Sequence, residues 1–195
     1  MATMATAAPP RIPGLHECLL LMEQYGMLSN IRRHSLVVAR LAIQLLEGLC
    51  AMQPNNPQAA KELVLAGALL HDIAKTPCLH SRCDHAQVGA EICHKEGYPE
   101  VAAIVAQHVR LSPFATQRYE AGQFGAMELV HYADKRVRHH VVVSLDERLE
   151  YIIERYGNNN PERCQAIERH FQRCGRLEHL LFRWLPFAPE ELGIF

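Results

Sequence analysis

Residues 69–76 read LLHDIAKT: His71 and Asp72 stand side by side at the end of an apolar segment, with Lys75 three residues after the aspartate. An ionised carboxylate is costly to bury unless something compensates its charge. The segment before it, residues 58–75, is rich in Ala and Leu and predicts a helix. On that helix His71 follows Val64, Gly67 and Ala68 on one face, where two small residues leave room for an imidazole. Asp72 follows Leu65, Ala68 and Leu69, so it also points inward. Neighbouring side chains on a helix diverge by about 100°. One helix end can therefore reach two different positions.

The same 3.6-residue period runs through most of the chain. Helices are expected over 14–25, over 30–52 with a stripe of Val38, Leu41, Ala42, Leu45, Leu46 and Leu49, and from Asp84 to about Lys95. Asp84 reads as an N-cap, with Gln87 completing a capping-box pattern, and Gly97 reads as a stop. Pro99 starts a helix to about Val109, and further helices are expected over 126–139, 145–156 and 161–173. Residues 110–125 read as a long loop, a common place for function. No strand pattern, repeat or linker is evident, so the expected fold class is all-α in one domain. On these helices His34, His108 and Asp134 fall on apolar faces, as His71 and Asp72 do. Each alone fits a hydrogen-bonded core residue. Five buried ionisable groups from four helices are hard to compensate separately. A shared cation does so at once, and imidazole with carboxylate suits transition metals.

Composition narrows the class further. The 195 residues are 49% hydrophobic and 21% charged, with a net charge of −1, so no basic field argues for nucleic acid. No uninterrupted apolar run reaches the roughly 18 residues that span a bilayer. The opening MATMATAAPP lacks the features of a secretory signal, and residues 1–13 are expected to be a flexible tail. Seven cysteines without a CxxC pattern fit reduced thiols and a cytoplasmic protein.

His34, then His71-Asp72 in LLHDIAK, then Asp134 in YADK, in a chain of this size, resembles the HD domain superfamily of metal-dependent phosphohydrolases. The resemblance spans residues 34–134 and implies a helical bundle around a central metal site, with a core motif over 30–140 and C-terminal helices over 145–195. Its binuclear members add two histidines between the HD pair and the last aspartate. His85 and His108 stand at such positions. The resemblance thus implies one metal held by His34, His71, Asp72 and Asp134, and a second held by His85 and His108, with Asp72 bridging. Two divalent ions are expected, iron first, with manganese, cobalt, nickel or zinc as alternatives.

Lys75 lies one turn beyond the ligands, and HDxxK recurs across the family, so it is expected to meet a phosphoryl oxygen. Arg110, Arg118 and Lys135 are candidate phosphate contacts, whereas Arg136 and Arg138 read as a solvated face. The expected substrate is a phosphorylated small molecule of nucleotide type, hydrolysed by water that Asp72-bridged metals activate. The ligand spacing is similar to that of bacterial HD-type diadenosine tetraphosphate hydrolases. No nucleic-acid or membrane partner is expected. Two rivals stand beside this reading: a mixed-valence di-iron oxygenase of the same fold, and a binding module without activity. A zinc knuckle of Cys78, His80, Cys83 and His85 is a further alternative, but its spacing is cramped for a structural site. His94, His131, His139 and His140 are expected at the surface or behind the ligands, with His131 placed one turn before Asp134.

Overall fold

The apolar stripe from Val38 to Leu49 becomes the buried face of a 24-residue helix, α2 (Ser29–Met52). The computed structural model describes residues 11–56, 58–81 and 83–194. Before α2 runs α1 (Leu15–Gln24), and after it α3 (Lys61–Leu70), which packs on α1 and α2. A single turn of helix, α4 (Lys75–Cys78), precedes α5 (His85–Lys95) and α6 (Pro99–Gln107), which pair as an antiparallel hairpin. Next come α7 (Thr116–Glu120) and α8 (Ala126–Lys135). The chain ends with α9 (Leu145–Tyr156), α10 (Pro161–Phe182) and a 3-10 turn at Pro189–Glu191. α2, α3, α6 and α8 surround the centre, and one buried apolar cluster draws on residues from Cys18 to Leu192.

By length and composition α2 could cross a membrane. Here its stripe is the core, packed on α3 and α8.

Local signals act as expected in several places. The Asp84 carboxylate accepts from the Ala86 and Gln87 amides and caps α5. Gly97 closes that helix with φ +87°, and Pro99 opens α6. Ser144 forms a capping box with Glu147 at the start of α9.

The helix expected over 58–75 starts later and stops at Leu70. His71 is its C-cap, and its Nδ1–H donates to the Ala68 carbonyl at 2.7 Å. An uninterrupted helix would offer that carbonyl to the Asp72 amide. α6 ends in the same way: His108 is its C-cap and donates from Nδ1 to the Val105 carbonyl at 2.6 Å. Two imidazoles thus satisfy carbonyls that a helix end leaves open, and the same bonds fix where the rings point.

Four further differences from the sequence expectations stand out. Residues 137–142, where no strand was expected, form a hairpin of β1 (Val137–Arg138) and β2 (Val141–Val142). Two residues per strand are too few to show an alternating pattern. α10 runs to Phe182, past the expected end near 173, because Gly175 interrupts the pattern without crowding any neighbour. Cys78 and Cys83 form a disulfide, so the expectation of seven reduced thiols fails at that pair. Residues 1–10 of the expected tail lie outside the described residues. Residues 11–13 are held down instead: Pro13 is buried, Ile12 packs on the core, and Arg11 pairs with Glu17 at 2.6 Å.

The α3–α6 contact depends on a missing side chain. A Cβ on Gly67 would come 2.7 Å from Ile104 Cδ1 and 2.9 Å from Cγ2. Gly67→Ala gains about 1 kcal/mol of helix propensity, while overpacking a filled core costs about 1–3 kcal/mol. Overpacking is expected to win, lowering the melting temperature by a few degrees; an increase in a thermal melt would refute the tight-contact reading.

Candidate metal centre

Five elements bring six side chains to one place. α2 supplies His34, the end of α3 supplies His71 and Asp72, the first residue of α5 is His85, the end of α6 is His108, and α8 supplies Asp134. Their ligand atoms fall into two groups: His34, His71 and Asp134, and Asp72, His85 and His108. His34 Nε2 lies 2.9 Å from Asp134 Oδ1, and His71 Nε2 lies 3.6 Å from the same oxygen. His85 Nε2 and His108 Nε2 are 3.2 Å apart, at 3.4 and 3.6 Å from Asp72 Oδ1.

Asp72 divides its two oxygens between the groups. Oδ1 faces His85 and His108, while Oδ2 faces His71 at 3.4 Å and His34 at 3.9 Å. All six residues are buried except His85, which is partly exposed.

Each group contains one buried polar atom with no hydrogen-bond partner. In the first it is His71 Nε2, in the second Asp72 Oδ1. Such atoms are costly to leave unpaired. Three of the four rings are engaged on the far side: Nδ1 of His34, His71 and His108 donate to the carbonyls of His139, Ala68 and Val105. A carbonyl only accepts, so each of these Nδ1 atoms carries its hydrogen and a neutral ring presents Nε2 as a lone pair. Imidazole and carboxylate donors in two such groups fit two divalent transition-metal ions.

His139 was not singled out for this role. It sits at the turn of the β1–β2 hairpin with φ +58°, which places its carbonyl 2.9 Å from His34 Nδ1. The contribution comes from backbone, which residue identity does not reveal.

The charges agree with this geometry. Burial works against the Asp72 carboxylate, but Lys75 and His71 outweigh it and hold its pKa well below the usual range. Asp134 behaves alike, with Lys135 and His34 opposing burial. Burial lowers His108 to about 4. Burial also opposes charge on His71, yet Asp72 and Asp134 raise it to about 9. A proton on His71 competes with a metal for Nε2. Metal affinity is therefore expected to fall as pH drops below about 9, by about tenfold per pH unit for one displaced proton. Metal titrations at several pH values check this, and a flat affinity from neutral pH to about 9 would contradict it.

The candidate cations separate into three kinds. Lys75 Nζ pairs with Asp72 Oδ2 at 2.7 Å and lines a cleft of about 110 Å³ that opens onto His34 and Asp72. Lys135 is buried and donates to Asp134 Oδ2 at 2.6 Å and to the His108 carbonyl at 3.0 Å. It braces two site residues rather than reaching into the cleft, because it follows Asp134 directly and has no length left to turn outward. Arg118 faces Glu128 at 3.8 Å, and Arg110 is exposed; neither lines the cleft. Arg136, read as a solvated face, is buried and donates to Tyr132 and Val143.

Sequence reasoning missed the other wall of the cleft, formed by Arg148, Tyr151 and Tyr156 of α9. Arg148 is buried, and its Nε has no hydrogen-bond partner. The signal available was an arginine one turn before a tyrosine on an amphipathic helix, which is common on solvated faces. The zinc-knuckle alternative fails, since Cys78 and Cys83 bond to each other and His85 turns to Asp72.

The fold and site define a predominantly helical protein with paired His/Asp groups that could hold metal ions. The model of the HD domain family matches residues 31–138, and the chain belongs to that family. HD domains bind divalent metals, and the family points to a metal-dependent hydrolase. The chain is also similar to two archaeal proteins named tRNA (cytidine(56)-2'-O)-methyltransferase. The one from Thermoplasma volcanium is 27% identical over 179 residues, covering 87% of this chain and 47% of the relative. The one from Picrophilus torridus is 26% identical over 158 residues, covering 76% of this chain and 42% of the relative. The chain thus spans less than half the length of either. No solved structure matches it.

Proposed function

We propose that this protein is a phosphohydrolase that uses two divalent metal ions to cleave a phosphoester or phosphoanhydride of a nucleotide-type substrate. The observation that carries the reading is the division of the Asp72 carboxylate, one oxygen toward each ligand group. When bound, a metal pair supplies Lewis acidity and lowers the pKa of a water at the site. The chain does the rest. His34, His71 and Asp134 hold one position and Asp72, His85 and His108 the other. Lys75, poised at the cleft, meets a non-bridging phosphoryl oxygen and stabilises charge that grows there. Arg148, with its unpartnered Nε on the opposite wall, fixes the phosphate through charge-assisted hydrogen bonds. A cleft of about 110 Å³ takes a phosphoryl group and leaves a base outside.

The names of the two relatives favour a second reading of the substrate, in which the phosphate belongs to an RNA. Their greater length leaves space for a separate methyl-transfer unit beside a region like this chain. The test is elemental analysis of the purified full chain, followed by phosphate release from nucleotides, dinucleoside polyphosphates and 3'- or 2'-phosphorylated RNA ends, with and without oxygen. Two or more metal ions per chain and turnover with manganese or cobalt are expected. A strict requirement for iron with oxygen consumption would replace hydrolysis by the oxygenase reading.

A further inference from the structure

His131, His170 and Cys174 form a third group of ligand atoms, apart from the two groups that share Asp72. α8 carries His131; α10 carries His170 and Cys174, which share a face at i, i+4. Cys174 Sγ lies 3.6 Å from His131 Nε2 and 3.7 Å from His170 Nε2. All three ligand atoms lie within 4.8 Å of one another. His131 and Cys174 are 3% and 2% exposed, and His170 is half-buried.

Two features fit this group to a metal ion. A tetrahedral ion with thiolate sulfur at about 2.3 Å and imidazole nitrogen at about 2.0 Å places sulfur and nitrogen about 3.5 Å apart. Both sulfur–nitrogen distances lie close to that separation. His131 is also set up as a ligand. Its Nδ1 lies 2.9 Å from the His108 carbonyl and so carries the hydrogen, which leaves Nε2 as a lone pair facing the sulfur. A cavity of about 10 Å³ adjoins both rings, bounded by Leu111, Phe114, Arg173 and Leu177. That is about the volume one water requires, and a water can complete a three-residue zinc site.

We propose that His131, His170 and Cys174 bind a single ion of the zinc class, independent of the binuclear centre. The Cys174 thiol proton leaves to solvent as the ion binds. The ion ties α10 to α8, and His131 connects it to the backbone of His108. The site requires neither the bridging role of Asp72 nor hydrolytic activity.

Cobalt(II) tests this, because a thiolate ligand gives a sulfur-to-cobalt charge-transfer band and the Asp72 groups contain no sulfur. The full chain is stripped with chelator and titrated with cobalt chloride. The band is expected in the natural protein and in Asp72→Ala, absent in Cys174→Ala, and displaced by zinc. His170→Asn, at a half-exposed position that tolerates change, should weaken cobalt binding at this band by more than about tenfold, the lower end of the loss seen for merely supporting residues. No band from the folded chain at saturating cobalt, or a band that survives Cys174→Ala, shows a hydrogen-bonded core triad only. An unchanged affinity in His170→Asn likewise overturns the site.

Discussion

Asp72→Ala is expected to remove two metal ions per chain and to lower kcat/KM for the best phosphorylated substrate by at least about 10³-fold. The size follows from the several kcal/mol that metal ions contribute to stabilising transition-state charge, at 1.36 kcal/mol for each factor of ten. Among the described residues Asp72 is the candidate ligand that faces both groups, with one oxygen 3.4 Å from His71 and the other 3.4 Å from His85. Losing His85 alone would leave the His34, His71 and Asp134 group intact. Losing Asp72 damages both positions.

The variant also shifts the local charge balance. Lys75 loses its carboxylate partner at 2.7 Å, and His71 loses the larger of the two charges that raise its pKa. His71 can then bury itself neutral, and Lys75, partly exposed, can turn to water. The fold should therefore survive, which circular dichroism and Asp72→Asn, of the same shape, check separately. Retained activity with two metals still bound would show that the bridge has been assigned to the wrong residue.

The convergence of the candidate ligands was legible in the sequence, and the reason is physical. Ligands of a buried ion must lie on inward faces, so a candidate that breaks an apolar stripe is visible at helical period, as at His34 and Asp134. Helix ends were less legible. His71 and His108 terminate their own helices by bonding the carbonyl three residues back, and a periodicity argument continues straight through such a point. Groups that act through backbone, such as the His139 carbonyl, leave no mark in residue identity. The cleft wall was hidden for a different reason. α9 is distant in sequence from the HD pair, and only tertiary packing sets Arg148 opposite Lys75. Lys135 and Arg136 show the converse error: a run of cations after Asp134 looked solvent-facing or substrate-facing, but both are buried against partners.

Lys75→Met is expected to lower kcat by about 10²–10³-fold, the cost of losing one preorganised donor to a developing oxyanion, while leaving both metals bound. Lys75 is the largest of the charges that keep Asp72 ionised against burial, so removing it from the metal-free chain raises the Asp72 pKa. On the two-metal reading, two divalent ions at the same carboxylate would supply more charge than one ammonium. With metals bound, Asp72 would therefore stay ionised without Lys75, and the lysine would be free to turn from Oδ2 toward a phosphoryl oxygen. Its own pKa is raised, because Asp72 and Asp134 outweigh the burial that opposes its charge, so it keeps its proton throughout the neutral range. The loss should fall mainly on kcat, since a group that binds only the developing charge contributes little to ground-state affinity. Lys75→Arg, which restores the charge with a different shape, should recover part of the rate. Loss of metal in Lys75→Met would instead place the lysine in support of Asp72 alone. A drop confined to KM would make it a ground-state phosphate anchor.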